Sequence, residues 1–270
     1  MQRSLIAFMT DYGHRDGFVG VCHGVVASLS PETRVIDLSH DVPPQDVRHG
    51  AVVLARAARH FPPAVYVGVV DPGVGSARRG IALRAGESVL IGPDNGLLVP
   101  AAERLGGIDE VHELTNSSWW LSDSDLTFHG RDIFVPVAAR ISAGAPLESA
   151  GEPVKPTELV RLPAPRAEFD DRTRTLTAEV TYVDGFGNVQ LAGELPATED
   201  SIGPVEVRVG DATRVVARAR PAEVFDEVPA GDLLLYHDSD GRLALAVNRG
   251  RAADLLGVRG GDTVRLEVTR

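Results

Sequence analysis

Apolar residues in the first half of the chain follow two alternating rhythms. Short runs rich in β-branched and aromatic residues predict strands at Leu5 to Met9, Arg34 to Leu38 and Val65 to Val70. The third run has the continuous apolar character of a strand buried on both faces. Between them, Phe18 to Leu29 and Pro44 to His60 have the density of packed helices, the second opened by proline and rich in alanine. This alternation predicts right-handed crossovers and a mainly parallel sheet. Further on, Ile81 to Leu83 and Ser88 to Ile91 predict a hairpin across Ala85-Gly86-Glu87. Leu97 to Leu105 and Ile133 to Ile141 predict two more helices.

The pattern lapses between Ala145 and Arg166, where Pro146, Pro153, Pro156, Pro163 and Pro165 interrupt it, and this stretch reads as a linker. Beyond it the rhythm becomes that of short strands: Thr175 to Val183, Val205 to Val209, Thr213 to Ala217, Leu233 to Tyr236, Leu243 to Val247 and Thr263 to Val268. Turns rich in Gly and Asp separate them, as in a small antiparallel barrel or sandwich. The expected fold is therefore an N-terminal α/β domain over residues 1–160, with helices on both faces of its sheet. A smaller C-terminal antiparallel β-barrel-like domain follows over 161–270.

Composition narrows the function. A net charge of -11 argues against a nucleic-acid partner and mildly favours a cationic small molecule. The single cysteine, Cys22, excludes a disulfide within the chain and a cysteine-based zinc cage; its place in a predicted helix reads as core. The histidines include no HxH or HExxH pair, and no metal or cofactor is expected. The apolar run Leu5 to Met9 is too short for a signal peptide or membrane span, so the expectation is a cytoplasmic protein with no membrane partner.

Candidate chemistry gathers where predicted strands end. The strand from Val65 stops at Asp71-Pro72-Gly73-Val74-Gly75, because Pro72 cannot donate a ladder hydrogen bond. Gly73 and Gly75 allow a sharp turn there. An acid at the carboxyl end of a parallel strand, with Arg78 and Arg79 close behind, stands where α/β sheets bind ligands. Asp11 and Asp16 follow the first strand, and His129 precedes a helix. In the second domain Asp184 and Asn188 flank a DGFGN turn, where a plain hairpin is an equally good reading.

In order along the chain, FMTDYG, DGFVG, VVDPGVG with its two arginines, PDNGLL, TFHGRDIF, DGFGN and LALAVN resemble the S-adenosylmethionine hydroxide adenosyltransferase family. Its members, also called SAM hydrolases, are related to fluorinase and chlorinase. The resemblance implies cleavage of S-adenosyl-L-methionine by water or hydroxide at the ribose C5′, giving adenosine and L-methionine. It also implies an Asp-Arg-His triad on Asp71, Arg78 and His129; Arg79 is given no role, and its loss is expected to be mild. By the same resemblance, Asp11 holds the ribose hydroxyls, while Asp16 and Asp184 meet the methionyl ammonium. Asn188 reads adenine together with backbone near Val247 and Asn248, and Ser239 holds the carboxylate. Asp240 departs from the halogenases, which have arginine there. The family further implies a homotrimer with sites between the first domain of one chain and the second of its neighbour.

Against the halogenase alternative stand Asp71 in place of a tyrosine, Gly130 in place of a serine and Gln45 in place of a tryptophan. The halogenase loop after the third strand is also absent, since Arg79 runs almost directly into Ile81. A carboxylate beside the nucleophile repels a halide and tolerates water. Two other readings are a metal-dependent hydrolase using Asp11, Asp71 and His129, and a non-catalytic sensor of adenosyl ligands.

Overall fold

The computed structural model describes residues 5–121, 127–196, 203–210 and 215–268. The chain divides after Leu162 into two compact units. In the first, β1 (Leu5–Thr10), β2 (Arg34–Ser39), β3 (Val65–Val69), β4 (Gly80–Ala85), β5 (Ser88–Pro93) and β6 (Glu110–Glu113) form one sheet, in the order β2-β1-β3-β5-β4-β6. The four strands from β2 to β5 in that order run parallel, and β4 is antiparallel to both of its neighbours.

Alternation along the central strands builds two cores. Ala7 and Met9 of β1, with Tyr66 of β3, face α2 (Val47–Ala58) and α3 (Val99–Arg104) through Ala51, Leu54 and Ala101. Ile6, Phe8, Val65 and Val67 face α1 (Phe18–Leu29) and α4 (Val135–Ser142) through Cys22, Val26, Val137 and Ile141. All five residues of β3 are buried, as its unbroken apolar run requires. Helices thus cover both faces of a mainly parallel sheet.

Two details differ from the sequence expectation. The second helix starts at Val47, not Pro44. Gln45 adopts a left-handed φ of 67°, and Asp46 caps the helix by accepting from the His49 N–H at 2.9 Å. The proline-rich stretch is no free linker as far as Leu162. Val154 N–H donates to the Val111 carbonyl and Val160 N–H to Asp94, and Leu147, Ala150 and Leu159 are buried. Prolines shape this segment to the first unit's surface, so the composition that marks a linker here marks an extended wrapping.

The second unit contains β7 (Ala167–Asp170), β8 (Thr175–Val183), β9 (Val189–Leu191), β10 (Val205–Val209), β11 (Ala217–Pro221), β12 (Leu233–His237), β13 (Leu243–Val247) and β14 (Thr263–Val268). Pairing of β14 with β8 closes seven of them into a barrel, and β7 adds to one edge of β8. The pairs are antiparallel except β11 with β12. A short helix, α5 (Ala252–Leu256), packs beside β13, and Leu256 joins the barrel core. The strand expected from Thr213 to Ala217 lies partly outside the described residues; β11 starts where that expectation ends. No helix among the described residues is long and apolar enough to cross a membrane.

Candidate active site

The carboxyl ends of β1 and β3 lie side by side, with Thr10 in register with Val69. Each strand is followed by an aspartate, Asp11 or Asp71, and the Asp11 N–H donates to the Val69 carbonyl at 3.2 Å. A cavity of about 310 Å³, counting its open mouth, is lined there by Asp11, Tyr12, Asp71, Val74, Phe128, His129 and Gly130, among others. Position at the strand ends is the one where parallel sheets place ligands.

Asp71 begins the turn after β3. Within that turn Gly75 has a φ of 78° and needs to be glycine, whereas Gly73 does not use a left-handed backbone. The turn returns Arg78 to Asp71: Nε of Arg78 donates to Oδ1 at 2.9 Å and to Oδ2 at 3.1 Å, and Nη2 also donates to Oδ2. The same Nη2 lies 2.7 Å from Nδ1 of His129. Side-chain exposures of 12% for Arg78 and 6% for Asp71 make this a largely desolvated pair. The Arg78 guanidinium stands 5.3 Å from the centre of the Phe134 ring. Asp71 and His129 face the cavity, and Arg78 stands behind and joins them.

A guanidinium has donors only, so Nδ1 of His129 accepts, and the neutral ring carries its proton on Nε2. Burial, and then the positive charge of Arg78, lower the pKa of His129 below its usual value. The ring is thus held neutral near pH 7. His129 leads into a π-helical turn, Gly130–Phe134, continuous with α4; such turns often mark functional positions.

Asp11 is also fixed. Its Oδ2 accepts from the Gln45 N–H at 2.8 Å, which gives a physical reason for the left-handed backbone of Gln45. Tyr12 was not among the residues singled out from the sequence, although it lies inside the FMTDYG motif. Its ring packs edge-on against Phe18 and Phe128. Burial first, then neighbouring anionic groups, push its pKa well above the usual value, so the hydroxyl stays protonated. A Cβ added at Gly130 would stand 2.0 Å from that hydroxyl oxygen. Any side chain there must displace Tyr12, which is a steric reason for glycine at 130.

The remaining residues expected from the sequence fall elsewhere. Asp16 is exposed and does not line the cavity. In the second unit Asp184 and Asn188 form one tight turn between β8 and β9. Oδ1 of Asp184 accepts from the N–H groups of Phe186 and Asn188, and Oδ2 from the Asn188 side chain. The hairpin reading of DGFGN is therefore right, whatever else the turn does. Val247 and Asn248 end β13 on the same rim, where the next residues join the turn: Ala253 N–H donates to the Gly187 carbonyl and Arg251 to that of Gly185. The Asn248 side chain donates to the Val228 carbonyl. Ser239 is exposed in the turn between β12 and β13, at the opposite end of β13. About 13 Å of strand separates the two ends.

A doubly covered α/β sheet with an Asp-Arg-His cluster at its strand ends, joined in one chain to a closed β-barrel, defines a narrow class. The family model of the SAM hydroxide adenosyltransferase N-terminal domain matches residues 6–151, and that of the C-terminal domain matches 178–265. The chain belongs to this family. It is 55% identical over 263 residues to an (R)-S-adenosyl-L-methionine hydrolase of Salinispora tropica, covering 97% of each chain. A fluorinase of Actinopolyspora mzabensis is more distant, at 27% identity over 98% of this chain and 97% of that one. Among solved structures, an uncharacterized conserved protein from Thermotoga maritima superposes with a TM-score of 0.86 at 36% identity, covering 97% of this chain and 99% of that one.

Proposed function

We propose that this protein hydrolyses S-adenosyl-L-methionine to adenosine and L-methionine by attack of water at the ribose C5′. The observation that carries the reading is the fork of Arg78, which joins Asp71 and His129 behind one cavity. The hydrolase name of a relative 55% identical over nearly the whole chain supports the same substrate.

The chemistry asks little of an acid, because a sulfonium departs as a neutral thioether. What the site must supply is an in-line, partly dehydrated water. Asp71 accepts a hydrogen bond from that water and takes its proton as the O–C5′ bond forms. By then the oxygen is strongly acidic, so an ordinary carboxylate suffices as base. His129, with Nδ1 occupied by Arg78, presents Nε2–H and orients the oxygen. Arg78 is the positioning residue for both. The carboxylate that serves water opposes a halide at the same place. A divalent ion on Asp71 and His129 would sit against the Arg78 cation in contact with both, which disfavours the metal-dependent alternative.

In this reading Asp11 binds the ribose, and the rim with Asp184, Asn188, Val247 and Asn248 receives the adenine and the ammonium. Asp16 and Ser239 serve the methionine end. Incubation with S-adenosylmethionine and chromatography should yield equal amounts of adenosine and methionine. Release of 5′-methylthioadenosine, or tight binding with no product, would refute this hydrolysis and favour cleavage at a different bond or a sensor.

The sites are further proposed to form between neighbouring chains of a homotrimer, the first domain of one facing the second domain of the next. Support comes from the family resemblance and from the division of the ligand candidates between the two units. A head-to-tail contact of this kind closes into a ring. Asp71→Ala and Asn188→Ala chains, each inactive alone, should regain activity when unfolded, mixed equally and refolded. About a quarter of shared sites then pair two intact halves. If mixing restores nothing, each chain builds its own site.

A further inference from the structure

Outside the cavity, three side chains of the first unit converge that the proposed reaction does not use. His23 comes from the middle of α1, Asp37 from β2, and His40 from the turn after β2. Oδ1 of Asp37 lies 2.9 Å from Nε2 of His23 and 3.0 Å from Nε2 of His40. One donor atom from each of the three lies within 4.8 Å of the others. Ligands at about 2.0–2.1 Å around a tetrahedral zinc ion stand about 3.3 Å from one another, so both N···O spans are already near that edge.

His40 is the most constrained of the three. Its ring is wholly buried, and Nδ1 lies 2.8 Å from Oγ1 of Thr10, which also accepts from the Tyr12 N–H. Its Nε2 is buried 3.0 Å from the Asp37 carboxylate, but in an orientation poorly aligned for a hydrogen bond. A buried polar nitrogen in that state is costly. With the proton on Nδ1 and given to Thr10, Nε2 instead presents a lone pair toward Asp37 and His23. A ring whose far nitrogen is fixed by an outer partner is the usual form of a metal-bound histidine. Burial also lowers the pKa of His40, which keeps the ring neutral. Burial raises the pKa of Asp37, but hydrogen bonding to His40 and His23, with their charge, outweighs it and leaves the carboxylate anionic.

We propose that His23, Asp37 and His40 bind one divalent transition-metal ion of the zinc class, with the fourth position open to water. Two imidazoles and a carboxylate are the donor set such ions take. Side-chain exposures of 37% for His23 and 38% for Asp37 leave the ion a path from solvent. The role is that of a clasp. The His40 carbonyl accepts from the Gly13 N–H at 2.7 Å, and Thr10 stands between His40 and Tyr12. An ion at this place ties α1 to the end of β2 and braces the loop that carries Asp11 and Tyr12.

The test uses the full-length protein freed of metal by chelation, titrated with Zn²⁺ by calorimetry and with Co²⁺ by visible absorption. One equivalent should bind saturably, with the intense Co²⁺ bands of a four-coordinate site, and Zn²⁺ should raise Tm. His23→Ala removes a part-exposed side chain from a helix, where alanine is favoured, so it should fold. It should lose the Tm rise and at least about 10–100-fold in affinity, since even outer-partner changes cost that much. His60→Ala, at an exposed histidine elsewhere, should bind as the parent does. Absence of saturable binding, or equal binding by His23→Ala and the parent, would overturn the proposal and leave the three residues as a hydrogen-bonded brace.

Discussion

Arg78→Ala is expected to lower kcat by about 10²–10³, the usual loss for one positioned polar group in an active site. KM should change by only a few-fold. The arginine does not line the cavity but fastens the two groups that do, donating to both oxygens of Asp71 and to Nδ1 of His129. Without it the Asp71 carboxylate loses its partner while only 6% exposed, and the His129 ring is free to exchange tautomers. Arg78→Lys separates positioning from charge. Lysine keeps the positive charge but cannot hold a carboxylate and an imidazole with one planar fork. It should therefore recover little of the lost rate. Recovery of most of the activity by lysine would show that charge alone matters and would refute the positioning role.

Arg79→Ala should show the converse, with a near-normal rate but a large loss of stability. Its guanidinium donates through Nε and Nη2 to Oδ2 of Asp94, at 3.0 and 2.6 Å, and to the Glu158 carbonyl at 2.8 Å. Asp94 is 3% exposed and also accepts from the Val160 N–H. Removing the arginine leaves a buried carboxylate uncompensated and loosens the 156–162 wrapping. The cost is about 3 kcal/mol, the low end for breaking a buried pair, because Arg79 itself is 26% exposed. A fall in Tm of about 6–12 °C follows for a unit of this size. The sequence expectation of a mild effect thus applies to catalysis only. Thermal unfolding and initial rates on one preparation check both parts. A large loss of rate with unchanged Tm would mean that the two arginines had been assigned the wrong way round.

The contrast between these neighbours illustrates what the chain discloses by itself. Uninterrupted apolar runs such as Val65 to Val69, and alternation such as Thr175 to Val183, reappear as strands because burial on two faces or one leaves a direct imprint on residue order. The short β6 and β9 carry too few residues to show a period; β6 is held by β4, and β9 by its hairpin partner β8 and by the more distant β13. Likewise the caps and breaks of α2 depend on Gln45, whose left-handed turn is imposed by Asp11, 34 residues earlier. Proline content misled between Ala145 and Leu162 because composition does not tell an extended segment packed on a domain from one that is free.

The site divides along the same line. Asp71, Arg78 and His129 could be picked out because each lies in a recognisable motif, and they meet as the motifs imply. That Arg78 stands behind the cavity wall, and that His129 is a donor toward the cavity, follows only from the geometry. The space that Tyr12 claims beside Gly130 is equally invisible in the order of residues, since the two lie on different loops. Asp37 and His40 stand only three residues apart, a spacing too common to point to a metal by itself, and His23 joins them because the fold brings α1 to the end of β2.

Water as nucleophile, placed at C5′ by Asp71 and His129, is the central claim. It is tested most directly by turnover of S-adenosylmethionine in ¹⁸O-water, with mass spectrometry of both products. The label is predicted in the 5′-hydroxyl of adenosine, with none in methionine beyond a blank. Adenosine without label, label in methionine, or a 5′-halo product in halide buffer would contradict the account.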